Sequence, residues 1–143
     1  MLTSLYSRFS SAVDHPDFAR LLLRLVFGIL MLFHGAAKMQ NGVEWVKPML
    51  AAHGVPGFVA YGAYIGEVIA PVLIIVGLFT RVAGLVYAFN LVVAVLLVGM
   101  GNFFVRTQVG AWALETEALY FFGGIFIMLL GAGKYSLFKG KLS

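Results

Sequence analysis

The chain has 143 residues, 62% of them hydrophobic and only 11% charged, with a mean hydropathy of +0.97; soluble domains carry roughly 25% charged residues, so this composition describes an integral membrane protein. It contains no cysteine, which excludes thiolate catalysis, disulfide exchange and iron–sulfur ligation by its own side chains. The net charge of +4 is explained by basic residues that meet anionic lipid, as in the C-terminal GKYSLFKGKLS, without invoking nucleic acid.

Taken in chain order, the N-terminus places Leu5, Phe9 and Val13 at near-helical spacing around Arg8, the pattern of a surface-lying anchor. A first span is expected over about 20–37, announced by Pro16 and by Asp17 at the positive end of the helix dipole. The small-residue GAA after this run also resembles a signal-peptide cleavage site, although the charged segment before it is too long for that reading. The segment VEWVKPMLAAHGVPG mixes Trp45, Met49 and Leu50 with Glu44 and Lys47 and ends in helix-stopping Gly54 and Pro56. It is expected to lie at the outer surface or to cap the helices. A second span runs over 58–79; after a tight GLFTR connection, a third covers 82–101 and a fourth 114–130.

These elements predict an all-α protein, a membrane four-helix up-down bundle in a single integral membrane domain. With the N-terminus inside, the inner ends carry Arg8, Arg20, Arg24, Arg81, Lys134, Lys139 and Lys141, against Lys38, Lys47 and Arg106 outside. The positive-inside rule then places both termini in the cytoplasm.

The polar residues of the spans are the candidates for function. Glu67 lies about 14 Å along the second span from Phe58, near the middle of a hydrocarbon core roughly 30 Å thick. A carboxylate there costs at least about 2.5 kcal/mol and is expected to face other helices and find a partner. Pro71, at i+4, removes the N–H that would bond the Glu67 carbonyl, so a kink is expected, with that carbonyl free for water or a ligand. Gly62, Gly66 and Ala70 allow close approach of another helix. His34 and Lys38, four apart near the outer end of the first span, project from one face. Asn90 is at mid-depth on the third. Glu115 and Glu117 occupy the first turn of the fourth and, two apart, face nearly opposite ways. The expectation is one outward-open cavity lined by His34, Lys38, Glu67, Glu117 and Asn90.

Blander roles fit some of these residues equally well. His34 and Lys38 suit an interface where long side chains snorkel, Glu115 and Glu117 complement a helix N-terminus, and Asn90 suits an interhelical hydrogen bond. A metal site is not expected: His-x-x-x-Lys is not ligand spacing, and lysine repels a cation.

The segments LLLRLVFGILMLFHGAAKM, IGEVIAPVLIIVGLFTR and ETEALYFFGGIFIMLLGAGKYSLF together resemble the DoxX family of small four-helix membrane proteins. The resemblance covers about residues 20–138 and marks His34, Lys38, Glu67, Arg81 and Glu117 as family-like positions, with Thr116 standing where the family has glycine before its acid. It implies a bacterial cytoplasmic-membrane subunit of an oxidoreductase, as in a thiosulfate:quinone oxidoreductase, that works with soluble or membrane redox partner proteins. A quinone suits the residues: His34 or Lys38 can hydrogen-bond a carbonyl, with His34 and Glu67 as catalytic groups and Glu67 or Glu117 exchanging a proton. Two other classes remain open. One is a small-solute or proton transport module, for which four short helices leave little room unless the chain forms a homo-oligomer. The other is an assembly or scaffold subunit of a membrane redox complex, in which the polar cluster fixes helix register.

Overall fold

The computed structural model describes residues 1–143 and is all-α, with a single isolated bridge between Arg106 and Trp112. Six helices can be followed: α1 (Leu2–Val13), α2 (Pro16–Asn41), the short α3 (Lys47–Ala52), α4 (Gly57–Val76), α5 (Thr80–Asn102) and α6 (Glu115–Leu130). Helices α2, α4 and α5 are long and apolar enough to cross a bilayer, which makes this a multi-pass membrane protein. The expected fourth span corresponds to α6, whose 16 residues extend about 24 Å and fall short of a hydrocarbon core of roughly 30 Å.

The helix ends follow local chemistry. Pro16 starts α2, where its missing N–H is harmless. Gly77 ends α4 in the left-handed region, its N–H donating to the Leu73 carbonyl. The Pro71 kink takes a definite form: Ile65–Ile69 is a single π turn, in which the Ala70 N–H donates to the Ile65 carbonyl. One extra residue in the turn absorbs the proline and swings Glu67 toward neighbouring helices. The carbonyl expected to be free, that of Glu67, does not open to a ligand. It presses on Gly35 of α2 so closely that no Cβ fits between them.

Packing centres on Met31, Ala70, Ile74, Ala83, Tyr87, Leu91 and Ile127. Helices α5 and α6 run antiparallel in backbone contact at Gly84 and Gly124. A Cβ at Gly84 would lie 2.7 Å from the Gly124 carbonyl oxygen and 2.8 Å from the Met128 nitrogen, atoms that cannot swing aside. Gly84→Ala is therefore expected to cost about 1–3 kcal/mol, read as a lowered unfolding midpoint in mild detergent. Of the two glycines Gly62 and Gly66 on α4, Gly66 is in close contact, lying against Asn90 of α5, whereas Gly62 faces open space; Ala70 is buried in the core.

The two ends of the helices are closed differently. At the Asn41 end, Val43, Val46 and Leu50 pack on Ala60, so α3 caps the helices as expected. Lys47 holds this cap at Glu44 (2.8 Å) and at the Tyr61 hydroxyl (3.2 Å); its hydrogen bond lowers the Glu44 carboxyl pKa and raises its own. At the Pro16 end, Arg24 is 1% exposed and donates to four carbonyls: Ile74 (2.8 Å) and Ile75 (2.7 Å) of α4, and Ala132 (3.0 Å) and Tyr135 (2.5 Å) of the C-terminal segment. Arg81 similarly caps α6 through Met128 (3.0 Å) and Leu129 (2.6 Å), a favourable place for a cation at a helix C-terminus. Arg24, counted by sequence among the basic residues of the inner ends, is a buried clamp. No residue of α1 is buried by the rest of the chain, which leaves its apolar stripe of Leu2, Leu5, Tyr6, Phe9 and Val13 exposed.

Candidate functional site

Glu67 is 6% exposed, and both carboxylate oxygens accept from Lys38 Nζ, Oε1 at 2.6 Å and Oε2 at 2.5 Å. Asn90 Nδ2 lies 3.4 Å from Oε1, a long bond that adds orientation more than strength. Each partner follows from local structure. Lys38 comes from the last turn of α2, the π turn of α4 aims Glu67, and Gly66 lets Asn90 close in. The Tyr64 hydroxyl donates to the Lys38 carbonyl at 3.1 Å, tying the end of α2 to α4. Two opposite charges at this depth cancel formally, which is the arrangement an apolar solvent demands of buried ions.

The pair forms the polar floor of a cavity of about 290 Å³ between α3, α4 and α5, walled chiefly by apolar side chains such as Trp45, Met49, Leu50, Phe89 and Leu97. Lys38, Glu67 and Asn90 all line it. An ammonium has three N–H donors; with two directed at Glu67, one remains for a ligand oxygen. The carboxylate retains acceptor capacity, and the Asn90 amide has a second N–H and a carbonyl.

His34 and Glu117 are not brought to this cavity. His34 is exposed and meets the edge of Tyr120 of α6, with ring centroids 5.7 Å apart. Four residues along a helix amount to about 400°, so His34 and Lys38 differ by some 40° in direction as well as a turn in height. That offset suffices to turn one toward α6 and the other toward α4. Glu117 lines a second cleft, against Leu91, Val95 and Phe121, while Glu115 is exposed, which settles which acid of that turn faces protein. No group of three or more His, Cys, Asp or Glu side chains is placed to hold a metal ion. Sequence reasoning missed Arg24 as a polar centre. The signal is there, a cation eight residues inside an apolar helix, but counting charges by side reads it only as one of the inner-end basic residues.

Comparison with known proteins agrees with the membrane fold. The DoxX family pattern matches residues 19–100, the stretch that carries Lys38, Glu67 and Asn90. A protein of Bacillus subtilis (strain 168) named "Putative oxidoreductase CatD" is 32% identical over 129 residues, which cover 87% of this chain and 91% of that one. No solved structure matches. The chain belongs to the DoxX family.

Proposed function

We propose that the chain is a subunit of a quinone-linked oxidoreductase of the bacterial cytoplasmic membrane, with α6 as a fourth crossing, both termini cytoplasmic, and the Lys38–Glu67 cavity as its quinone site. The observation that carries this reading is a charge pair with unused donors at the floor of an apolar-walled cavity. The name of the Bacillus relative points to the same class of chemistry. The topology rests on the excess of basic residues at the Pro16 end, and a reporter fused after Ser143 is expected to be active only in the cytoplasm.

The residues fit a quinone head by type and by place. At about 290 Å³ the cavity is at the small end of ligand sites, which span roughly 300–1,000 Å³; it suits a ring better than a large polar solute. Lys38 supplies a charged donor to a carbonyl oxygen, Asn90 a neutral one, and Glu67 holds or releases a proton beside them. A bound quinone would supply the two-electron redox chemistry that a chain without cysteine lacks. Apolar side chains wall most of the cavity, and Glu67 is 6% exposed. His34, turned toward Tyr120, has no part in this site.

Mild-detergent purification followed by solvent extraction tests the reading. Quinone is expected to co-extract with the wild type and to rebind at micromolar concentration, and Glu67→Gln to weaken rebinding by about tenfold or more, the effect of losing one charge-assisted contact. Equal binding by wild type and variant, or none by either, sinks the quinone site. Proton flux into liposomes that Glu67→Gln abolishes without added quinone would replace it with transport.

A further inference from the structure

Two glycines of α4 decide where the Lys38–Glu67 cavity is closed and where it is open. At Gly66 the helices α4 and α5 touch: a Cβ there would lie 2.5 Å from the Cβ of Asn90. One turn earlier, about 6 Å along the helix, Gly62 also lines the cavity, and a Cβ there would meet nothing within 4 Å. The two helices therefore splay apart beyond the Gly66–Asn90 contact. Gly62 has helical angles, φ −59° and ψ −24°, so neither a left-handed turn nor a close approach requires glycine there, and glycine is a poorer helix former than alanine. What its missing side chain leaves is the mouth of the cavity. That mouth faces lipid. Ile65 of α4 and Phe89 of α5 line the cavity and are each about half exposed or more, and both sit near the middle of helices long enough to cross the bilayer. At the Asn41 end the cap covers the cavity, with Val46 and Leu50 buried against Ala60.

We propose that the cavity is entered sideways from the bilayer and takes a ring that carries a long apolar chain, the chain leaving between α4 and α5 across Gly62, which is the residue that admits it. This rests on the quinone reading of the site and adds the class of quinone, a lipid-soluble one with a polyprenyl or alkyl tail. At about 290 Å³ the cavity holds a ring and little more, so a tail has to lie outside it. The polar side chains Lys38, Glu67 and Asn90 form one floor, and no other charged side chain lines the cavity. A ring that turns its oxygens to that floor points its remaining substituents at the mouth, where the surroundings are hydrocarbon. Val59, Gly62 and Ile65 follow at three-residue spacing on α4, facing Phe89 and Val93 of α5, and give the chain an apolar rail on either side. Lipid is as apolar as this gap, so a chain gains no hydrophobic energy by entering it. The gap selects by space, and Gly62 sets the space.

The test is binding by the full chain in liposomes of a dimethoxy-methyl-benzoquinone ring without a chain and of the same ring carrying a decyl chain. Each variant is compared with wild type for the same ligand, so that partition into the bilayer cancels. Gly62→Trp is expected to weaken the decyl quinone by about tenfold or more, the effect of overfilling an apolar space, and to leave the chainless ring within about twofold. Gly62→Ala, whose methyl group fits the open space, is expected to bind both ligands as wild type does, which ties the effect to size. A decyl quinone with a diazirine on its chain is expected, on illumination, to label residues 59–65 of α4 or Phe89 of α5. Glu67→Gln is expected to weaken both ligands. An equal effect of Gly62→Trp on the two ligands, label confined to Trp45 and Met49 of the cap, or loss of a retained phospholipid in Gly62→Trp with decyl quinone binding unchanged would overturn the sideways entrance, and the quinone site would still stand if Glu67→Gln weakens both. If Glu67→Gln weakens neither ligand, the quinone reading falls and the entrance with it.

Discussion

Lys38→Met is expected to destabilise the protein by about 3–5 kcal/mol, the cost of stranding one member of a buried ion pair. Glu67 is 6% exposed and would lose the ammonium that contacts both of its oxygens. The reverse change, Glu67→Leu, is expected to cost less. The Lys38 side chain is 21% exposed, lies near the end of α2, and can extend toward the interface when its partner is gone. The double variant Lys38→Met/Glu67→Leu is expected to recover most of the loss, since replacing both ions with apolar groups removes the desolvation cost together with the attraction. Unfolding curves in mild detergent measure all three. If the double variant is no more stable than the worse single one, the two residues are not energetically coupled. The same double variant separates stability from function: once folded, it is expected still to fail in quinone binding, and if it binds as wild type does, the pair is a structural clamp.

Arg24→Met is expected to be comparably severe, losing on the order of 3 kcal/mol or more, because several charge-assisted bonds go at once and buried carbonyls are left without donors. The guanidinium joins the end of α4 to the Ala132–Tyr135 segment, so the loss should also be visible locally. Beyond Arg24, this segment is held by the Leu137 N–H on the Val76 carbonyl at 3.0 Å and by the Ser136 hydroxyl on the Gly77 carbonyl at 2.9 Å. With the C-terminus in the proposed cytoplasmic position, trypsin added to inside-out vesicles is expected to cut at Lys134, Lys139 or Lys141 far faster in Arg24→Met than in wild type. Arg24→Lys should rescue only in part, since one ammonium cannot span four carbonyls as a planar fork does. Unchanged protection in Arg24→Met would show that the other contacts hold the segment by themselves.

These two residues show where reading the chain succeeds and where it stops. The membrane class follows from composition, and the positions of α2, α4 and α5 follow from apolar runs bounded by Pro16, Gly77 and the GLFTR turn. Glu67 stands out as a buried acid through its depth alone, and the irregularity beside Pro71 is a consequence of a missing N–H. All of these are properties of one helix at a time, and the one-dimensional pattern carries them in full.

What the tertiary structure decided is which groups meet. The sequence places His34, Lys38, Glu67, Asn90 and Glu117 at compatible depths, but depth does not fix direction around the helix axis. Direction is set by which helices touch, and hence by Gly35 against the Glu67 carbonyl, Gly66 against Asn90 and Gly84 against Gly124. With those contacts made, Lys38 faces Glu67, His34 faces Tyr120, and Glu117 opens into a separate cleft. Arg24 was hidden for the same reason. Its partners are main-chain carbonyls 50 to 111 residues away, and a carbonyl belongs to every residue, so no side-chain pattern announces it.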